Sequence, residues 1–270
     1  MNINEQAKKA EKQIVANYVY KNDLCIRRLI QKKCIEEFLQ NINVFKTNLI
    51  RLGNESDGGY LIPDDLNGIE ACFSPGVADN VNFEKALAER KIPSYLLDKS
   101  INKLPENNKH FIFKKKYLGI KNNDSFVSIN NWIKEYYSKD CTNEFILQMD
   151  IEGSEYEVLL DIEENLLKKF RILVIEFHQF YDFVTTLGHR LIQATFDKIL
   201  QHFYIVHIHA NNLMPMVTVH DYKIPNLLEF TFLRKDRLNN AEPILKLPNT
   251  LDKKNVLEKE DIILPDYWYK

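Results

Sequence analysis

The segment LQMDIEGSEYEVL, Leu147 to Leu159, crowds Asp150, Glu152 and Glu155 around Gly153. Carboxylates this dense can hold a metal, orient a hydroxyl or accept a proton. Acids also favour helix starts because of the macrodipole, which accounts for Glu155 better than for Asp150. Two histidine groups follow. IEFHQF places Glu176 two residues before His178, and HIHANN places His207 two before His209, with Asn211 and Asn212 beyond. In extended chain such pairs face one side. Imidazole titrates near neutrality and suits proton transfer or metal binding. Upstream, Gly76 in FSPGVAD and Asp98, 22 residues later at the end of YLLD, form a third group. A glycine turn leading into a helix receives a polar ligand, and an acid at the next strand end accepts ribose hydroxyls.

These residues need a scaffold that gathers them. From Ile69 onward, short apolar runs alternate with helical patterns. The runs are Ile69–Ser74, Ser94–Leu97, His110–Phe113, Glu144–Met149, Arg171–Phe177, Phe203–His209 and Leu227–Leu233. Helices are expected over Asp79–Lys91, Ser128–Tyr137, Ser154–Leu160, with Ser154 as N-cap, and Leu187–Gln201. The pattern predicts an α/β fold: a doubly wound, mostly parallel, seven-stranded, Rossmann-like sheet with helices on both faces. Ligands then bind at the carboxyl ends of the strands, where strand order reverses. Each group above closes a strand. Glu5–Asn41 reads as a helical extension, broken near Asn22 and Asp23, that caps the core or builds a homo-oligomer. The expected organisation is a helical segment over 1–48, a core over 49–236 and an extended tail over 237–270.

The 270 residues are 45% hydrophobic and 11% aromatic, enough for a sizeable core. Lys+Arg 36 against Asp+Glu 38 gives a net charge of -2, without the basic excess of a nucleic-acid binder. Cys25, Cys34, Cys72 and Cys141 lack metal-type spacing and read as free thiols in a reducing compartment. Met1–Gln13 lacks a signal-type apolar run, and no stretch approaches the ~18 apolar residues of a membrane span. A cytoplasmic protein is expected.

Several of these segments are similar to one family. QMDIEGSEYEVL resembles the D-I-E-G-x-E signature of FkbM-type S-adenosylmethionine-dependent methyltransferases. RLGNESDGGYLIP, Arg51 to Pro63, resembles an R-x-G…D-G-G-Y element of one branch. FSPGVADNVNFE is similar to the cofactor loop, NDSFVSINNWI to the segment before the fourth strand, and VHIHANN with IPNLLEFTFLRK to the late region. The likeness spans Arg51 to Arg234. It implies a class I methyltransferase-like fold, with Gly76 against the methionine part of S-adenosyl-L-methionine and Asp98 against its ribose. It further implies Asp57, Gly58, Gly59, Tyr60, Ser74 and Ser125 around the cofactor, and Asp150 beside the methyl-transfer centre. The loop Ser74-Pro75-Gly76-Val77-Ala78 departs from the acid-x-Gly-x-Gly pattern, lacking the leading acid and second glycine.

The resemblance implies methyl transfer to a hydroxyl oxygen, for which the acceptor would be a sugar or nucleotide-linked sugar in surface polysaccharide synthesis. Proton removal is assigned to His178 or His209, oriented by Asp150 or Glu176. Substrate contacts are assigned to Glu152, His207, Asn211 and Asn212. No metal is required, although a divalent ion could assist. The rival reading is a metal-dependent hydrolase built on the His207/His209 pair. A nicotinamide dehydrogenase is disfavoured because G-x-G-x-x-G is missing.

Overall fold

The computed structural model describes residues 8, 12–16, 18, 19, 21, 26–138 and 142–270. Helix α1 (Lys32–Asn41) precedes a hairpin of β1 (Leu49–Gly53) and β2 (Gly59–Pro63). Then come β3 (Ile69–Pro75), α2 (Asn82–Glu89), β4 (Ser94–Leu97), β5 (Phe111–Lys114) and the short parallel pair β6 (Tyr117–Gly119) and β7 (Phe126–Ser128). Helix α3 (Ile129–Lys134), β8 (Glu144–Met149), α4 (Glu155–Asp161), α5 (Glu164–Leu167) and β9 (Phe170–Phe177) follow. The chain continues through α6 (Thr186–Leu200), β10 (Phe203–Ala210), a second small hairpin of β11 (Val217–Val219) and β12 (Tyr222–Ile224), and β13 (Leu228–Arg234).

Seven strands form the central sheet in the order β10-β13-β9-β8-β3-β4-β5. Only β13 runs against its neighbours. These are the seven apolar runs of the sequence. Their side chains alternate between two cores because strand residues point to opposite faces. Phe145, Leu147 and Met149 of β8 join Trp132, Val158 and Phe196 on one face, while Ile146 joins Leu52, Phe83 and Leu87 on the other. That second face is covered by α2 and the β1–β2 hairpin, where helices alone were expected. The hairpin escapes a reading of apolar runs because its turn, Asn54 to Gly58, interrupts two five-residue strands.

The N-terminal expectation is only partly met. Residues 12–16 and 32–41 are helical, but residues 26–28 have no regular structure, and Leu29 bridges to Thr185. The break near Asn22 and Asp23, like Cys25 and Cys141, falls outside the described residues. Among the described residues no helix is long and apolar enough to cross a membrane.

The C-terminal segment, 239–270, has little regular structure yet is firmly docked. Trp268 is fully buried in the larger core. Asn212 accepts from the Val256 N–H at 2.8 Å and donates to the Val256 carbonyl at 2.9 Å. His207 Nε2 lies 2.9 Å from Asp252 Oδ1, both groups buried. His209 Nδ1 lies 3.3 Å from Glu229 Oε2, and its Nε2 lies 3.8 Å from Asp261 Oδ1, where attraction acts as charge rather than as a hydrogen bond. Burial alone would lower the His209 pKa, but Asp261 and Glu229 overcome it and raise it to about 10. A group raised above its unfolded value of about 6.5 stabilises fully below that pH and loses its effect as pH climbs through the folded value. Proteolysis between residues 250 and 262 should therefore accelerate from pH 6.5 toward 10, and His209→Asn should flatten the profile. A wild-type rate independent of pH would refute the clasp.

Candidate active site

The order of the sheet reverses between β3 and β8: β3 is followed in sequence by β4 on one side, and β8 by β9 on the other. Their carboxyl ends therefore leave a crevice. Gly76 ends β3 with φ +86°, and a Cβ there would lie 1.5 Å from the Asp150 carbonyl oxygen. Glycine is required on both counts, since it alone lets the two strand-end turns touch. In front of that contact opens a cavity of about 580 Å³ lined by Asp57, Tyr60, Gly76, Asp98, Gln148 and Asp150 among others. Asp98 is almost wholly buried and accepts from Ala78 N at 2.8 Å and from Ser100 N and Oγ, both at 2.7 Å. A carboxylate has about four acceptor positions, so about one remains for a ligand hydroxyl, not the expected pair. Tyr60 packs edge-on to Phe83, and burial together with Asp150 and Glu176 keeps its phenol protonated.

A second cavity, of about 470 Å³, adjoins the first and shares Asp57, Asp150 and Glu152 with it. Its distinctive walls are Glu176, His178, Asn211, Asn226, Met214 and Val256. His178 is the best-organised group there. Its Nδ1 lies 3.1 Å from Oε1 of the fully buried Glu155, which also accepts from Ile151 N at 3.0 Å and Gly153 N at 3.1 Å. Tyr156 Oη donates to the His178 carbonyl at 2.9 Å. A carboxylate partner fixes the proton on Nδ1 and leaves Nε2 as the basic atom. That atom lies 3.7 Å from Asp150 Oδ1 and 3.5 Å from Glu152 Oε2. Burial would depress the imidazole pKa, but the Glu155 bond and the charges of Glu155, Asp150 and Glu152 leave it raised. Burial also lifts Asp150 to about 7, opposed by His178 and assisted by Glu152, Glu155 and Asp57. Glu176 is raised well above the carboxylate range, chiefly by burial and then by Asp150 and Glu229. Its Oε1 accepts from Asn211 at 2.9 Å.

The structure thus brings Asp57, Tyr60, Gly76, Asp98, Asp150, Glu152, Glu176, His178 and Asn211 to two joined cavities. It corrects other assignments. Ser74 lies beneath the first cavity, its hydroxyl bridging Glu84 and Gln148, 2.6 Å from Gln148 Oε1. Ser125 meets Lys99 Nζ outside the cavity wall. Gly59 starts β2 beneath the Asn54 carbonyl, and Gly58 lines the cavity in its place. His207, His209 and Asn212 grip the C-terminal segment, which puts His209 out of the running as base and His207 and Asn212 out of contact with an acceptor. The cross-strand register explains this. Glu176, Glu229 and His209 are successive partners across β9, β13 and β10, so Glu229 stands between His209 and the cavity.

The acid bonded to His178 is Glu155, where Asp150 or Glu176 was expected to orient it, and Ser154 makes no side-chain cap. Glu84 carried no sequence signal beyond lying in the first turn of α2, and Gln148, Asn226 and Val256 none beyond lying near strand ends or in the tail. Among the described residues, Asp150, Glu152 and His178 are the set whose ligand atoms all come within 4.8 Å of one another, as a metal would need. Among the described residues His207 and His209 do not belong to such a set, and each faces a carboxylate of the C-terminal segment, so the hydrolase reading finds no metal-sized cluster at that pair.

The chain is similar to a precorrin-6y C5,15-methyltransferase from Geobacter metallireducens GS-15, with 8% identity over 78% of this chain and 93% of that one and a TM-score of 0.33. It is also similar to M. jannaschii TYW2 in complex with AdoMet, with 11% identity over 76% and 78% and a TM-score of 0.30. Neither TM-score is high enough to argue from. No curated protein matches significantly. The match that bears on the site is to a family model described as the Methyltransferase FkbM domain, over residues 127–206. That span includes Asp150, Glu155, Glu176 and His178. The match supports an S-adenosylmethionine-dependent methyltransferase and is consistent with an FkbM-like methyltransferase family.

Proposed function

We propose that this protein is an O-methyltransferase that moves the methyl group of S-adenosyl-L-methionine to a sugar hydroxyl. The observation that carries the reading is the pair of cavities joined at Asp57, Asp150 and Glu152. The residues fit the donor. Gly76 lines the first cavity where the two strand-end turns touch, and Asp98 stands at the next strand end with an acceptor position to spare. Asp57, Asp150 and Glu152 supply negative charge beside a ligand that carries a sulfonium.

When bound, the donor supplies an electrophilic methyl on positively charged sulfur. The chain must align the acceptor oxygen with that carbon and take the hydroxyl proton. His178 Nε2, on the shared side of the second cavity, receives the proton. Gly76 and Asp98 would hold that donor, whose carbon–sulfur bond would give up the methyl group to the acceptor oxygen, the electron pair staying on sulfur. Glu155 stabilises the imidazolium. Asp150 sits between the cavities and faces the developing charge redistribution. Among the described residues, none that lines the second cavity is Lys or Arg. A phosphate would meet carboxylates there without a partner, which favours an unphosphorylated sugar over a nucleotide-linked one. The proposed setting is surface polysaccharide modification, as the family resemblance implies. Exposed Ile14, Val15 and Tyr18 support self-association through the N-terminal segment.

Calorimetry with S-adenosylhomocysteine tests the donor half. Wild type should bind, and Asp98→Ala should weaken binding about 10- to 100-fold, the worth of a hydrogen bond to a charged group. A wild-type chain that ignores the ligand would remove the reading. The acceptor half rests on His178. His178→Ala should lower kcat about 10²–10⁴-fold while leaving donor affinity within about threefold. Because the His178 pKa is raised, its basic form emerges above about pH 6.5, and wild-type kcat should climb with pH there. Equal turnover by wild type and variant across that range would exclude His178 as base.

A further inference from the structure

Asn226 precedes β13 and lines the second cavity, yet only 7% of it is exposed. Its backbone is fixed, since its carbonyl accepts from Phe180 N at 2.8 Å. Its amide Nδ2 reaches Met214 Sδ at 2.7 Å, and its Oδ1 has no hydrogen-bond partner. Thioether sulfur is a weak acceptor, so turning the amide over would only exchange one unsatisfied end for the other. A buried amide oxygen without a donor destabilises the fold unless something else satisfies it. Asn211 is committed to Glu176, and the carboxylates of Asp57, Asp150, Glu152 and Glu176 accept when ionised. The wall's remaining side-chain donors are the Gln179 amide and, when its ring is protonated, His178, and neither bonds Asn226. The cavity is therefore rich in acceptors, and among the described residues its wall has no Lys or Arg. Leu213, Leu227 and Val256 add an apolar side.

We propose that Asn226 Oδ1 accepts a hydrogen bond from a second hydroxyl of the acceptor, so that the site selects an uncharged polyhydroxyl compound presenting one hydroxyl to His178 and another to Asn226. The proposal deepens the methyltransferase reading and rests on it. A polyol brings the donor that Asn226 Oδ1 lacks, and its carbon face meets the apolar side. A monohydroxyl compound would leave the amide unsatisfied, and sites built to bond a hydroxyl discriminate strongly against analogues without it.

The test uses the full-length protein, S-adenosylmethionine, a panel of methyl hexopyranosides with their monodeoxy analogues, and glucose 6-phosphate. Asn226→Ala should cut kcat/KM for a methylated hexopyranoside about 10- to 100-fold, mainly through KM. One monodeoxy analogue should suffer a similar loss with wild type, and on that analogue Asn226→Ala should cost nothing further. Asn226→Leu, which removes the unsatisfied oxygen, should unfold about 2–4 °C above wild type. S-adenosylhomocysteine affinity should stay within about twofold in both variants. The proposal is overturned if every deoxy analogue loses equally in the Ala variant, or if glucose 6-phosphate is methylated better than the glycosides. It is equally overturned if no neutral glycoside accepts methyl although S-adenosylhomocysteine binds. Failure of S-adenosylhomocysteine to bind wild type would instead remove the methyltransferase reading, and this proposal with it.

Discussion

One buried carboxylate, Glu155, organises the reactive region. It draws the N–H groups of Ile151 and Gly153 and the His178 imidazole onto a single oxygen. The turn after β8 thereby curls back on itself, with Glu152 in a left-handed conformation at φ 58° and Gly153 at φ 108°. The same oxygen aligns a ring that belongs to the end of β9. Two neighbouring strands are thus coupled at their tips by a charge that no water reaches, and such a group has little freedom to reorient. Asp150 and His178 inherit their positions from it.

Around that anchor the chain gathers carboxyl groups faced by the single imidazole of His178. Asp57, Asp150, Glu152 and Glu176 border the joined cavities, and Glu229 sits directly across the strand pair from Glu176. Burial and mutual repulsion raise Asp150 and Glu176. A region of this kind favours a ligand bearing positive charge and hydroxyl donors, and disfavours phosphate. Perturbed carboxylates gathered in a cleft mark a candidate functional site, and here they line the two adjoining cavities.

The scaffold was readable because buried parallel strands advertise themselves as short apolar runs, and β4 and β8 begin and end where those runs do. Gly76 and Asp98 were readable because each closes a strand. Other roles depend on what stands beside a residue in the folded sheet. His207 and His209 share a spacing with catalytic pairs, yet the antiparallel insertion of β13 between β10 and β9 interposes Glu229. Nothing in HIHANN reveals that interposition. Glu155 looked like an ordinary helix-start acid because the value of its position comes from His178, 23 residues away. Asn226 owes its interest to a bond it does not make, which no pattern of residue types expresses.

The docked C-terminal segment gives the two halves of the crevice different mechanical character. The first cavity has no wall residue from beyond Ser154. The second includes Val256, and Asn255 donates to Asp57 Oδ1 at 3.1 Å and to Glu229 Oε1 at 2.6 Å. Local opening of residues 252–261 therefore loosens the second cavity directly and reaches the first only through Asp57, the corner common to both. The two cavities thus share one mechanical element: a sub-global fluctuation of the strap moves the wall of one and a single corner of the other.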